Sequence, residues 1–199
     1  MIKNVIIAGV GGQGVVTAGL LMSEAATENG INVVMSEIHG LAQRGGSVSV
    51  DVRMGDVYGS IVPKGGADII IGFEPIETVR ALSRAGRETL VIMNTEKKTP
   101  ISLSMHDKEY PPMEQLLKIA PDGMVIHQID AVSLAKEAGN YRSVNTVILG
   151  AALALGVLPF SRENAMSALK RRFSGGLYEV NARALDLGIE EIKGQRNIA

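Results

Sequence analysis

The chain has 199 residues, of which 20 are Lys or Arg and 21 are Asp or Glu, so its formal net charge is −1. This balance argues against a nucleic-acid-binding protein that works through a broad basic surface, and a hydrophobic fraction of 46% excludes wholesale disorder. Because the sequence contains no Cys, this chain alone cannot form a disulfide, a cysteine nucleophile or a thiolate-ligated iron–sulfur or zinc site.

The first 35 residues predict a strand, a glycine-rich turn, a helix and a second strand. Residues 5–8 form an apolar run that ends in glycines, which is typical of a buried parallel strand. Residues 14–29 have the apolar spacing of a helix and end at Asn29-Gly30, and residues 31–35 read as the next strand. This order predicts a βαβ unit.

An antiparallel hairpin is predicted next. In residues 47–53, Val48, Val50 and Val52 alternate with polar residues, as in a strand with one buried face. Gly55-Asp56 has the composition of a tight turn, and residues 57–62 follow as the returning strand. We therefore expect a hairpin inserted into an otherwise α/β chain.

The remainder of the chain again alternates predicted strands with predicted helices, and its C-terminal part is predicted to be helical. Further strands are predicted at residues 68–73, 90–94 and 124–129, and further helices at residues 75–85, 113–119, 132–138, 143–157, 162–173 and 179–193. Residues 95–112 read as irregular. The prediction is one three-layer α/β/α domain over residues 1–199, with a Rossmann-like, mostly parallel sheet, the inserted hairpin and a helical C-terminal part.

The first candidate site is the turn after the first strand, where Gly9-Val10-Gly11-Gly12-Gln13-Gly14 fits G-x-G-x-x-G. Glycines allow backbone amides to approach an anion, and the following helix N-terminus favours negative charge. Glu37 follows the second strand at about the distance of a ribose-binding acid, so the turn also suits a nicotinamide or flavin nucleotide. The structural alternative is that the glycines only permit a tight turn and close packing.

The second candidate site is residues 37–46, directly after the second strand. Its candidate ligand- or partner-binding residues are Glu37, His39, Gln43, Arg44, Gly45 and Gly46. Because ligands of open α/β sheets bind beyond the carboxyl ends of the strands, this segment and the glycine turn are expected to face one cleft. Arg44 could hold a carboxylate or phosphate, whereas His39 and Glu37 are weak candidates for proton transfer. Alternatively, Arg44 and Glu37 pair with each other and only order the loop.

Other polar features predict little chemistry. Residues 170–172, Lys-Arg-Arg, could bind phosphates, but such a run at a helix C-terminus more often forms a solvated face. His39, His106 and His127 are far apart in the sequence, so no metal site is predicted. We expect a cytoplasmic protein with no signal peptide and no membrane span, since the apolar part of residues 143–160 is short.

Three segments carry a resemblance to a known family. They are GVGGQGVVTAG at residues 9–19, SEIHGLAQRGGSVSVDVRMGDVYGS at residues 36–60 and GGADIIIGFEPIETVRAL at residues 65–82. These closely resemble the small, gamma-type subunits of the 2-oxoacid:ferredoxin oxidoreductases, and EIHGLAQRGGSV resembles most the beta subunits of the indolepyruvate ferredoxin oxidoreductases. The likeness continues at residues 93–101 and 145–156 and covers nearly the whole chain.

The resemblance implies a subunit that is inactive alone. In such a complex an aryl 2-oxoacid is oxidatively decarboxylated to an aryl-acetyl-CoA, with electrons passed to ferredoxin. Thiamine diphosphate and [4Fe-4S] clusters are implied on the large partner subunit, coenzyme A is the co-substrate, and neither nucleic acid nor membrane is implied as a partner. The glycine turn and residues 37–46 are then candidates for the face that meets the large subunit or coenzyme A.

Two other functions stay open at this point. The first is a free-standing NAD(P)- or FAD-binding Rossmann oxidoreductase, suggested by the glycine turn together with Glu37. The second is an assembly module that binds the large subunit and no small ligand. The sequence assigns no catalytic residue to this chain.

Overall fold

The computed structural model describes residues 1–40, 45–99 and 109–196. The strands in these ranges are β1 (Lys3–Val10), β2 (Val33–His39), β3 (Ser47–Met54), β4 (Ala67–Gly72), β5 (Ala85–Asn94) and β6 (Ile126–Ile129). The helices are α1 (Val15–Glu28), α2 (Pro75–Ala81), α3 (Met113–Leu117), α4 (Ala131–Ala138), α5 (Val144–Ala154), α6 (Arg162–Arg172) and α7 (Gly176–Arg196). Short 3₁₀ helices span Leu82–Arg84 and Tyr141–Ser143.

The strands form one mixed sheet in the order β2-β3-β1-β4-β5-β6. β1, β4, β5 and β6 pair in parallel, whereas β3 lies antiparallel between β2 and β1. All strands except β3 therefore run in the same direction, which confirms the mostly parallel sheet. The βαβ unit is present but split, because β3 separates β1 from β2.

Helices cover both faces of the sheet, as the three-layer prediction requires. Val5 and Ile7 of β1 belong to a large core with α1, α4, α5, α6 and α7. Ile6 and Ala8 point the other way, into a smaller core that includes the end of α2. Covering both faces explains why β1 reads as a continuous apolar run, with no side chain from Val5 to Val10 exposed by more than 4%.

The antiparallel insertion is confirmed, but the predicted partner strand is wrong. Residues 57–62 form no strand, and the hairpin joins β2 to β3 instead. Both edges of β3 are occupied by β1 and β2, so no hydrogen-bonding edge is left for a returning strand. Residues 57–62 instead form part of the loop between β3 and β4, with Val57 and Val62 buried.

The predicted helices are all present, with boundaries that shift by a few residues. The predicted helix at residues 75–85 ends at Ala81 and continues as the 3₁₀ turn Leu82–Arg84. β2 continues beyond the predicted residue 35 to His39, so Glu37 and His39 lie on a strand and pair with Val50 and Val48 of β3. In the described ranges, no helix combines the length and apolar character that crossing a membrane requires.

The parallel strands bring four segments to one edge of the sheet. The glycine turn follows β1, the connection to β3 follows β2, Phe73 and Glu74 follow β4, and residues 95–98 follow β5. Ligand sites of open α/β sheets lie at this edge.

Candidate functional site

The glycine turn between β1 and α1 has the backbone that its sequence predicts. Gly12 and Gly14 have φ values of +93° and +87°, a region in which side chains other than glycine are strained. A Cβ on Gly9 would lie 2.7 Å from Val15 Cγ2 and 2.9 Å from Phe73 Cβ. The glycines therefore serve close packing, and they also leave the backbone at the start of α1 open to the sheet edge.

Gln13 fixes the turn from within. Its Oε1 accepts a hydrogen bond from the Val10 backbone N–H at 2.8 Å, and its Nε2 donates to the Phe73 carbonyl at 3.0 Å. Asn94 Nδ2 donates to the same carbonyl at 3.1 Å, and Asn94 Oδ1 accepts from the Ala131 N–H at 3.0 Å. The ends of β1, β4 and β5 and the start of α4 are thus connected by two buried or half-buried amide side chains.

The two predicted sites meet through the backbone. The Gly11 N–H donates to the Gly46 carbonyl at 2.9 Å, and Gly45 has a φ of +71°. His39 lines a small cleft of about 260 Å³ together with Gly11, Gly12 and Gly14. The predicted juxtaposition is therefore present for Gly46 and His39.

Glu37 and His39 form an exposed ion pair beside this cleft. His39 Nε2 lies 2.9 Å from Glu37 Oε2, and the side chains are 53% and 37% exposed, respectively. Gln43 and Arg44 lie outside the described residues, and the alternative in which Glu37 pairs with Arg44 therefore stays a prediction. Their predicted roles in binding stay predictions.

A larger cleft of about 710 Å³ opens on the other side of the glycine turn. Besides Gly12, Gln13 and Gly14 it is lined by Thr17, Phe73, Glu96, Lys97, Lys98, Val132, Tyr141, Arg142, Val144 and Asn145. Three of these side chains are cationic and one is anionic, so the cleft favours an anion. This cleft was not predicted from the sequence, although Lys97 and Lys98 follow β5 at the sheet edge where ligands bind.

A buried carboxylate stands next to this edge. Glu74 is fully buried; its Oε2 accepts a hydrogen bond from the Glu77 N–H at 3.0 Å and so caps α2, while its Oε1 accepts one from the Tyr110 hydroxyl. Burial raises the pKa of Glu74, and burial together with the hydrogen bond to Glu74 raises the pKa of Tyr110. The Lys97 ammonium lies 5.4 Å from the centre of the Tyr110 ring, which helps to place Lys97 at the cleft.

The remaining predicted features do not join these clefts. Arg171 pairs with Glu28 of α1, and Arg172 Nη1 lies 2.9 Å from Glu24 Oε1, which fits the structural interpretation of the basic run. His127 lies on β6, and His106 is outside the described residues. Among the residues that are described, no three His, Asp or Glu side chains group closely enough to hold a metal ion.

Comparison with known proteins gives a consistent result. The family model described as pyruvate ferredoxin/flavodoxin oxidoreductase matches residues 4–191. The indolepyruvate oxidoreductase subunit IorB of Methanothermobacter thermautotrophicus is 41% identical over 182 residues, which are 91% of this chain and 93% of that protein.

Two solved structures are similar in fold. The gamma subunit of a keto/oxoacid ferredoxin oxidoreductase from Geobacter sulfurreducens matches with a TM-score of 0.71 at 24% identity, covering 96% of this chain and 99% of that one. The 2-oxoglutarate:ferredoxin oxidoreductase of Magnetococcus marinus, solved with 2-oxoglutarate, coenzyme A and succinyl-CoA bound, matches with a TM-score of 0.74 at 21% identity. That match covers 97% of this chain but only 31% of the other, so the same fold also occurs within a larger chain.

Proposed function

Because the chain belongs to the pyruvate ferredoxin/flavodoxin oxidoreductase family, we propose that it is the small subunit of an indolepyruvate ferredoxin oxidoreductase. The observation that carries the proposal is the 41% identity to an indolepyruvate oxidoreductase subunit over 91% of this chain. The complex would oxidatively decarboxylate an aryl 2-oxoacid to an aryl-acetyl-CoA and pass the electrons to ferredoxin. In this proposal residues 1–199 act as one gamma-type domain in the cytoplasm.

The redox cofactors of such a complex belong on its large subunit. Thiolate-ligated iron–sulfur clusters do not fit this chain, because it contains no Cys. We therefore place the [4Fe-4S] clusters on the large partner subunit, where the family resemblance also implies thiamine diphosphate, and derive no reaction step on this chain. In this proposal the residues of this chain would bind and orient the large subunit or coenzyme A, and they would exclude water.

The glycine turn and residues 37–46 are the part of the chain that we assign to the large subunit or to coenzyme A. The hydrogen bond from Gly11 to Gly46 and the position of His39 beside the turn support a common contact face. In the reconstituted complex, Arg44→Ala is expected to raise the KM for coenzyme A or to weaken assembly. An unchanged KM together with unchanged assembly would remove Arg44 from this role.

The alternative of a free-standing dinucleotide enzyme finds no support. In a dinucleotide-binding fold, the acid that binds the ribose follows the strand next to β1. Here β3 occupies that position, so Glu37 on β2 is displaced by one further strand, to about 10 Å from β1. Glu37 is also paired with His39.

The proposal is tested by coexpression. The chain is produced alone and together with its large partner subunit, and indolepyruvate- and coenzyme A-dependent reduction of ferredoxin is measured for each preparation. We expect activity only for the complex. Full activity of the large subunit without this chain, or a complex that oxidises pyruvate and not indolepyruvate, would contradict the assignment.

A further inference from the structure

A buried carboxylate of α2 reaches the beginning of β3. Glu77 is 2% exposed; its Oε2 accepts a hydrogen bond from the Ser47 hydroxyl at 2.6 Å, and its Oε1 accepts one from Arg80 at 2.6 Å. We propose that Glu77 is a positioning residue, which fixes Ser47 and, through Ser47, the glycine turn and the end of β2. These two segments belong to the face that we assign to the large subunit or to coenzyme A, so the effect on binding rests on the proposed function.

Ser47 connects three parts of the sheet edge. It lies opposite Val10, the last residue of β1. Its carbonyl accepts a hydrogen bond from the Gly40 N–H at 2.8 Å, directly after β2. The carbonyl of the preceding residue, Gly46, accepts one from the Gly11 N–H of the turn at 2.9 Å. A displacement of Ser47 would therefore move the acceptors of both the glycine turn and the end of β2.

The hydrogen bond from Ser47 to Glu77 compensates for loose packing beside β3. α2 contacts β1 and β4, and between this helix and β3 lies a cleft of about 190 Å³ whose lining includes Ser47, Ser49, Ile38 and Glu77. Ile38 is 47% exposed, so α2 leaves this part of the sheet uncovered. The carboxylate thus gives Ser47 a fixed partner in the helical layer where close packing does not.

Stability alone does not explain a carboxylate at this position. A negative charge in the first turn of a helix is favourable at the surface as well. A buried ion pair usually contributes no more to stability than apolar side chains of similar size would. A hydrogen bond to a carboxylate is, however, short and directional. Because each oxygen of Glu77 has its own donor, the carboxylate can hold the Ser47 hydroxyl in one orientation.

Amide hydrogen exchange of the isolated chain, measured by NMR, tests this connection. Ser47→Ala removes the donor, and Glu77→Gln leaves one oxygen acceptor for two donors. Each is expected to speed the exchange of the Gly11 and Gly40 N–H groups by about tenfold. Ser49→Ala is the matched control and should leave both rates unchanged. It removes a hydroxyl from the same face of β3 that makes no hydrogen bond within the described ranges.

The same variants are then assembled with the large subunit. The affinity of assembly is measured by titration, and kcat and the KM for coenzyme A are measured as indolepyruvate-dependent reduction of ferredoxin. Ser47→Ala and Glu77→Gln are each expected to weaken assembly or to raise the KM by about tenfold with kcat nearly unchanged. The double variant should be no weaker than the single ones, because the two residues act through one hydrogen bond. Ser47→Thr keeps the hydroxyl, and the cleft has room for its methyl group, so it should behave like the unaltered chain.

The outcomes separate a positioning role from a structural one. A structural role would lower the Tm of Ser47→Ala but leave assembly and the KM unchanged, and this result would overturn the inference. So would additive effects of Ser47→Ala and Glu77→Gln, or exchange rates in Ser47→Ala equal to those in Ser49→Ala. If the unaltered complex does not reduce ferredoxin with indolepyruvate, the proposed function fails, while hydrogen exchange in the isolated chain still decides whether Glu77 holds the turn.

Discussion

Asp51 is a charged residue of the sheet that is paired with one cationic side chain, that of Arg84. It is fully buried on β3, and Arg84 donates to its two carboxylate oxygens at 2.8 and 2.5 Å. The Val62 N–H also donates to Asp51 at 2.8 Å, and Arg84 donates to the Val62 carbonyl at 2.7 Å. This network holds residues 57–62 against the sheet.

Arg84→Ala is expected to lower the free energy of unfolding by about 3–5 kcal/mol, because it leaves a buried carboxylate without its cation. Urea unfolding at neutral pH measures the change. Lys3→Ala provides the comparison, since the pair of Lys3 with Asp68 at 3.0 Å is partly exposed and should contribute about 1 kcal/mol or less. Equal effects of the two substitutions would show that the Asp51 network is not a buried ion pair in solution.

Glu74 is expected to make the free energy of unfolding depend on pH, because its carboxyl group is buried. Burial raises its pKa above the ordinary value of 4.5, so the folded protein binds this proton more tightly than the unfolded chain does. Its contribution to stability is therefore complete below pH 4.5 and is lost as the pH rises through the raised pKa. Glu74→Gln removes the titration.

The stability of the unaltered chain relative to Glu74→Gln should consequently fall as the pH increases from 4.5, measured by urea unfolding at a series of pH values. The stability of the unaltered chain relative to Asp130→Asn should instead rise with pH, because hydrogen bonds from Ser133 lower the pKa of Asp130 in the folded state. That contribution is present at higher pH and is lost as the pH falls. Parallel curves for the unaltered chain and Glu74→Gln would contradict the burial of an ionisable group at position 74.

Among the elements, α5 and α7 pack so closely that two glycines are required at their crossing. A Cβ on Gly150 would lie 2.0 Å from the Leu185 carbonyl oxygen, and one on Gly188 would lie 2.0 Å from the Val147 carbonyl oxygen. Both contacts are with helix backbone, which cannot move aside as a flexible side chain can. The helices would have to separate to admit even a methyl group.

Gly150→Ala is therefore expected to destabilise the chain by about 1–3 kcal/mol despite the higher helix propensity of Ala. Gly194→Ala is a control, since a Cβ at that position of α7 meets nothing within 4 Å. It should be neutral or stabilising by up to about 1 kcal/mol. Thermal unfolding of both variants decides the matter, and a stabilising Gly150→Ala would show that the crossing is looser than the structure has it.

The elements that could be predicted from the sequence are those whose signals are local. β1, the glycine turn and α1 follow from an apolar run, positive-φ glycines and helical spacing within 29 residues. Strand pairing is not local, and the alternation in β3 could not show that both of its edges would be taken by β1 and β2. Residues 57–62 then looked like a partner strand, although the backbone N–H and carbonyl of Val62 bind the side chains of Asp51 and Arg84 instead.

The candidate site likewise has one part that could be predicted from the sequence and another that could not. The glycine turn is continuous in sequence and was predicted, whereas Lys98, Arg142 and Asn145 come from segments that only the fold brings to it. The rule that ligands bind at the carboxyl ends of parallel strands could have indicated Lys97 and Lys98 after β5, but neither residue was predicted. No comparable signal marks Asn145, because its exposure to the cleft depends on how the first turn of α5 packs beside Gly14.

At the scale of the whole molecule, the fold occurs both as a separate chain and within a larger one. The Geobacter sulfurreducens gamma subunit is covered over 99% of its length, whereas this fold makes up 31% of the matching chain from Magnetococcus marinus. These two likenesses show a shared fold. The proposal of a large partner subunit rests instead on the similarity to an indolepyruvate oxidoreductase subunit.

The strand order of the whole sheet also predicts which cofactors the isolated chain will ignore. Since β3 separates Glu37 from the glycine turn by an additional strand, NAD, NADP and FAD should not raise the Tm of the isolated chain. A dinucleotide present at 100 times its Kd would add about 2.7 kcal/mol, which corresponds to roughly 5–10 °C for a chain of this size. A shift of that size with NAD, NADP or FAD would mean that the turn accepts a dinucleotide without Glu37, and the chain would then have a cofactor of its own.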